Sequence, residues 1–169
     1  TFFLGSQLSV KYEYDATGNA IRVVNALGQA TVLAYDAGGR VTQATSPGGI
    51  VTRYVYDARG RMISRSITPA GGGAAEIDAF AFYSTGKLAR VTAANGLVLD
   101  YTYDPAQRLI GVRDSHGNTV AYTLDGMGNR VNTEVFDANG NLSLTRNLLI
   151  DTLGRVERVY GGSGEQALY

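Results

Sequence analysis

Few residues of this chain have a claim to chemistry. His116 is its single histidine and stands next but one to Asp114 in "DSHG", which invites a reading as a general base with an orienting carboxylate. Two residues of one tight turn cannot readily serve each other in that way, and no G-x-S-x-G nucleophile motif accompanies them. His116 therefore reads as a solvent-facing turn residue. Asp137, Asn139 and Asn141 in "DANGN" have the spacing that opens a calcium loop, but such a loop wants Gly at 142 and Glu at 148, where the chain has Leu142 and Leu148. "GGGAA" (71–75) does not lead from a strand into a helix as a phosphate-binding loop would. Without cysteine there is neither a disulfide nor a thiolate zinc site. The expectation is no catalytic residue, no metal and no cofactor.

What the acidic residues do becomes plain when their positions are compared. Asp15, Asp36 and Asp57 stand 21 residues apart, and after one longer interval Tyr83, Asp104 and Asp125 resume the same step. Each opens a tetrad closed at its fourth position by glycine: Gly18, Gly39, Gly60, Gly86 and Gly128, with Gln107 as the exception after Asp104. A weaker set lies between them, "NALG" (25–28), "SPGG" (46–49), "TPAG" (68–71), "AANG" (93–96) and "DSHG" (114–117). Asp137 with Gly140 and Asp151 with Gly154 continue at slightly longer steps. An opening Asp, Asn, Ser or Thr can accept a backbone hydrogen bond two residues on, and the closing Gly supplies a positive φ. The tetrads thus predict three-residue hairpin loops, each a type I turn with a glycine bulge.

Thirteen such turns predict about fourteen short strands in one antiparallel meander, an all-β chain. The segment 67–78 reads as a loop insertion within a single repeat region spanning 1–169, which reads as a piece of a larger shell. In each hairpin the opening residue faces the one after the glycine, so Asp36 meets Arg40, Asp57 meets Arg61, Asp104 meets Arg108 and Asp151 meets Arg155. One step inward an aromatic ladder is expected: Tyr14 with Ala20, Tyr35 with Val41, Tyr56 with Met62, Phe82 with Leu88, Tyr103 with Leu109 and Phe136 with Leu142. Counting on in register places Tyr12 opposite Arg22, Tyr54 opposite Ser64 and Tyr122 opposite Asn132. On that count neither face is convincingly apolar, and a long ribbon of this kind is expected to curl into a barrel-like shell or solenoid wall.

The charge is zero overall, with 15 basic and 15 acidic residues and no basic block, so no footprint for nucleic acid or an anionic membrane exists. No apolar run approaches the length of a membrane span, and membrane insertion is not expected.

The phrase Y-D-x-x-G-R at a step near 21, as in "YDAGGRVTQ" (35–43) and "YDARGRMIS" (56–64), resembles the YD-repeat or Rhs proteins. The resemblance runs from about Lys11 to Tyr160. It implies a spiralling β-sheet shell, secreted or delivered to the cell surface, whose partners are the rest of its own parent chain and an enclosed C-terminal toxin. The Asp- and Pro-rich closing segment where that family carries self-cleavage has no counterpart here, so a non-enzymatic role is implied. The alternative is a module that binds carbohydrate or a surface receptor through its tyrosine rows.

Overall fold

The computed structural model describes residues 10–161 and the strand at 166–168, and every regular element in it is a β-strand. Two compact units divide the chain, Thr1–Ala79 and Phe80–Tyr169. The first holds β1 (Lys11–Tyr14), β2 (Ala20–Val24), β3 (Ala30–Tyr35), β4 (Val41–Thr45), β5 (Val51–Tyr56) and β6 (Met62–Thr68). The chain passes through β7 (Glu76–Phe82) into the second, which holds β8 (Leu88–Thr92), β9 (Val98–Tyr103), β10 (Leu109–Asp114), β11 (Thr119–Leu124), β12 (Arg130–Phe136), β13 (Leu142–Ile150) and β14 (Val156–Gly161). A short strand beyond the expected fourteen, β15 (Gln166–Leu168), pairs with β14. Strand order is chain order throughout, so the sheet is an antiparallel meander.

The segment between β6 and β7 is shorter than the sequence suggested. Ile67 and Thr68 complete β6, Glu76 opens β7, and Ile67 pairs with Glu76, which leaves only residues 69–75 as loop. Its turn closes from Gly72 N to Pro69 O at 3.2 Å, one residue later than the tetrad at 68–71.

Register departs from the simple count, and the departure decides what each face is made of. Tyr35 pairs with Val41 as expected, but Ala34 then pairs with Gln43, so Thr42 is an extra residue. The same irregularity recurs where Tyr14 meets Ala20, Tyr56 meets Met62, Tyr103 meets Leu109 and Leu124 meets Arg130. Such a bulge shifts everything beyond it by one residue, which in a strand exchanges the faces. Tyr12 therefore pairs with Val23 and not Arg22, Tyr54 with Arg65 and not Ser64, and Tyr122 with Thr133 and not Asn132.

After that shift one face of each unit is largely apolar, interrupted in the first unit by the Arg65–Asp78 ion pair beside Tyr54. In the second unit Leu99, Tyr101 and Tyr103 of β9 share a face with Val112 and Leu109 of β10, Val120 of β11 and Val135 of β12. The opposite face carries the ion pairs: Asp100 pairs in register with both Arg90 and Arg113, and Arg90 Nε reaches its carboxylate at 2.6 Å. In the first unit Tyr12, Leu33, Tyr35, Tyr54 and Tyr56 lie on one face, with Glu13, Arg22, Gln43, Arg53 and Ser64 on the other. Phe136 and Leu142 pair as expected, but on the polar face of the second unit, outside the aromatic row.

The sheet is one layer thick in each unit. Among the described residues no hydrophobic side chain is buried; the aromatic row is half-covered by its own neighbours and nothing is packed on top.

Gln107 occupies the turn position that is glycine elsewhere and adopts φ 62°, the only non-glycine residue with positive φ among those described. An L-residue there costs about 1–2 kcal/mol that glycine avoids. Gln107→Gly is expected to raise stability by about 1 kcal/mol in urea unfolding, and an unchanged midpoint would show that the strain is offset locally.

Candidate functional site

The turn edges concentrate the charged groups. In the turn at Asp36 the backbone N–H of Asp36 donates to Arg40 O (2.9 Å) and that of Gly39 to Asp36 O (3.0 Å). Asp36 Oδ1 accepts from the N–H of Gly38 and of Arg40, and Oδ2 accepts from Arg40 Nε at 2.7 Å. One carboxylate thus orders the whole loop and pairs with the arginine across the hairpin. Asp57, Asp104 and Asp151 repeat the arrangement with Arg61, Arg108 and Arg155.

Where asparagine replaces the arginine the geometry is kept. Asn19, Asn118, Asn129 and Asn141 each donate Nδ2 to the second carboxylate oxygen, of Asp15, Asp114, Asp125 and Asp137 respectively, at 2.7–3.0 Å. Asn129 and Asn141 therefore stand in for the arginine's Nε–H, and the exchange is conservative in hydrogen bonding though not in charge. Asn25 shows that the opening residue can also be neutral, since its Oδ1 accepts from Leu27 and Gln29. Tyr83, with no carboxylate, keeps the two backbone bonds and donates its hydroxyl to Tyr101 O at 2.9 Å.

These donors hold the carboxylates below their ordinary pKa. Asp15 is lowered to about 2, chiefly by the Thr17 hydroxyl and the Asn19 amide. Asp114, Asp125 and Asp137 are lowered first by the side-chain amides of Asn118, Asn129 and Asn141. A depressed folded-state pKa contributes stability that is present above the unfolded value and lost as pH falls through the folded one. Melting temperature is therefore expected to be level above about pH 5 and to decline from about pH 4 toward pH 2. Changing Asp114, Asp125 and Asp137 together to Asn, as Asn25 already is, should make that decline shallower while the chain still folds. An identical slope in the triple variant would remove these carboxylates as its cause.

The tyrosine row ties one repeat to the one before. Tyr35 donates its hydroxyl to Ala20 O and Tyr56 to Val41 O, each at 2.9 Å. Ala20 and Val41 immediately precede the bulged residues, so the phenol occupies a carbonyl at each irregularity of the ladder. With their hydroxyls committed, the half-covered rings of Tyr35 and Tyr56 are held in place by the repeat before. The sequence held a signal for the bulge: along β9 apolar residues are two apart (Tyr101, Tyr103), but along β10 they are three apart (Leu109, Val112).

The turn residues named from sequence fall on two edges. In the first unit Asp15, Gly18, Asp36, Gly39, Asp57 and Gly60 share one edge, since successive meander turns alternate. In the second unit Asp104, Asp125, Gly128, Asp151 and Gly154 share an edge, while Asp137 and Gly140 lie on the opposite one with Asp114. Phe82 ends β7 half-buried, and Tyr103 makes an edge-on contact with Tyr83, ring centroids 6.0 Å apart.

No catalytic constellation forms around the candidates. His116 is 74% exposed, with Nδ1 4.0 Å from Asp114 Oδ2, and that carboxylate already serves its own turn. Asp137 is likewise spent on Asn139 and Asn141. Among the described residues no three His, Cys, Asp or Glu side chains are placed to hold a metal ion, and no helix is long and apolar enough to cross a membrane.

A family model described as Teneurin YD-shell matches residues 4–157. Among solved structures, the crystal structure of TcdB2-TccC3-Cdc42 superimposes with a TM-score of 0.76 at 18% identity, over 87% of this chain and 9% of that one. TcdB2-TccC3 without its hypervariable C-terminal region gives 0.75 at 18% identity over 92% and 9%. The Photorhabdus luminescens Tc holotoxin pore gives 0.59 at 16% identity over 82% and 9%. The chain spans about a tenth of the length of these structures, and the likeness is one of fold. No curated protein matches it.

Proposed function

Because this chain belongs to the Teneurin YD-shell family, we propose that it is a stretch of wall in an exported bacterial shell whose parent protein encloses a toxin at its C-terminal end. The observation that carries the reading is the single-layer sheet with one apolar face and no buried hydrophobic side chain among the described residues. A free-standing domain would cover such a face with a second layer. A wall leaves it to whatever the shell contains or to the shell's other walls, and the meander supplies the geometry, since each hairpin extends the surface without a crossover. The role is structural: the repeated Asp and Tyr residues order turns and pack rings, and chemistry belongs to the cargo.

The test uses the parent chain. Its C-terminal region should resist protease in the intact protein and become digestible when residues 98–124, two whole hairpin strands and their neighbour, are deleted. Equal digestion of that region in both proteins would sink the enclosure reading.

A further inference from the structure

Along the repeat edge of the first unit, the arginine of one turn lies over the next repeat. Arg40 Nε holds its own Asp36 at 2.7 Å, while its guanidinium carbon sits 5.0 Å from the centre of the Tyr56 ring. A methyl group built on Gly60 would come within 3.1 Å of Arg40 Nη1. One repeat earlier the same place is a cleft of about 350 Å³, lined among others by Asp15, Asn19, Tyr35, Asp36, Ala37 and Gly39. Moving each of these forward by one repeat gives Asp36, Arg40, Tyr56, Asp57, Ala58 and Gly60. Five of these six are the same residue type and Asn19 alone gives way to Arg40; of the two further lining residues, Thr17 gives way to Gly38 and Ile21 to Thr42. Asn19 still holds Asp15 through Nδ2 at 3.0 Å, but an amide two carbons from the backbone is too short to lie over Tyr35 as a guanidinium does.

We propose that this cleft is a receptor for a guanidinium group presented from outside the chain. Its aromatic wall, Tyr35, offers the ring face on which a planar cation stacks, and Asp15, whose hydrogen-bond donors are all neutral, supplies the negative charge at its margin, Asp36 being paired with Arg40. Both carboxylates are ionised at neutral pH, because the donors of their own turns favour the charged form. The occupied copy of the site, one repeat along, shows the ligand chemistry directly: a guanidinium over a tyrosine, beside a turn aspartate. The Asn129 repeat does not reproduce it, since the residue before Asp151 is Ile150 and the ring is missing where Asn129 approaches Gly154; the Asn118 repeat is followed by Phe136, Asp137, Ala138 and Gly140, and there the ring has no hydroxyl.

The test is an NMR titration of the isotope-labelled chain with three probes: N-acetyl-arginine amide, methylguanidinium, and N-acetyl-citrulline amide as the uncharged isostere. Both cations should give saturable shifts at the amides of Thr17, Asn19 and Gly39, half-complete at a concentration on the order of 1–10 mM, and citrulline amide should give none. Tighter binding of the arginine amide identifies a polypeptide arginine as the source, and equal binding a free guanidino compound; either supports the site. Asn19→Arg should fill the cleft from within, abolish the shifts and raise Tm by a few degrees. Tyr35→Leu, which keeps both carboxylates, should weaken cation binding at least about threefold. Absence of shifts up to about 50 mM, equal shifts with citrulline amide, or shifts that persist in folded Asn19→Arg would each overturn the proposal.

Discussion

Gly60→Val is expected to lower the stability of the chain by about 3 kcal/mol in urea unfolding. Gly60 has φ 78°, where an L-residue pays about 1–2 kcal/mol and a β-branched one more. The new side chain also meets Arg40 Nη1, which must leave the Tyr56 ring and give up a cation–π contact worth about 0.5–1 kcal/mol. Gly18 is the control: it has φ 88° but nothing within 4 Å of a built Cβ, so Gly18→Val should cost only the backbone share, about 2 kcal/mol. Equal losses at the two positions would mean that the arginine contact adds nothing, and no loss at either would remove the turn geometry itself from the account. In an Arg40→Ala background the gap between Gly60→Val and Gly18→Val should close.

Tyr56→Ala is expected to cost about 2–3 kcal/mol, less than a fully buried aromatic because the ring is only half-covered. Tyr56→Phe separates ring from hydroxyl. It keeps the packing against Met62 but leaves Val41 O without the phenol's hydrogen bond, which should cost about 1 kcal/mol. Tyr54 is on the same strand and face, but among the described residues its hydroxyl has no such carbonyl partner, so Tyr54→Phe should be within about 0.5 kcal/mol of neutral. If both Phe variants are neutral, the hydroxyl bond across the repeat contributes nothing to stability. If Tyr56→Ala is also neutral, the tyrosines are surface residues and the packing account fails.

The repeat was legible because each of its parts is local. An Asp three residues before a Gly writes a loop whose hydrogen bonds stay within five residues, so Asp36 with Arg40 and Tyr35 with Val41 could be placed without knowing anything beyond the hairpin. The first pair beyond the turns at Asp15, Asp36, Asp57, Asp104 and Asp137 therefore held, and the next failed. A bulge is not a property of the turn but of how two strands compromise when their apolar residues are spaced differently, as Tyr101 and Tyr103 are against Leu109 and Val112. Missing that compromise exchanged the faces and hid the apolar side of the sheet. The contacts between repeats were out of reach for a related reason. Tyr56 bonding Val41 O and Arg40 lying over Tyr56 depend on which turns become neighbours and how far a side chain extends, and the period alone fixes only the first.

A meander in strict chain order has a consequence for how the protein is made. The most distant register partners among the described residues, such as Thr119 with Phe136 and Val51 with Thr68, are close in sequence, so the relative contact order within each unit is low for an all-β fold. No strand has to wait for a distant one to be synthesised. The sheet can lengthen one hairpin at a time as the nascent chain leaves the ribosome, the last completed strand serving as template for the next. At every stage of that growth one strand edge is unpaired, so the hazard during synthesis is capture of that edge by a second nascent chain, and dense polysomes are where misassembly should first be seen.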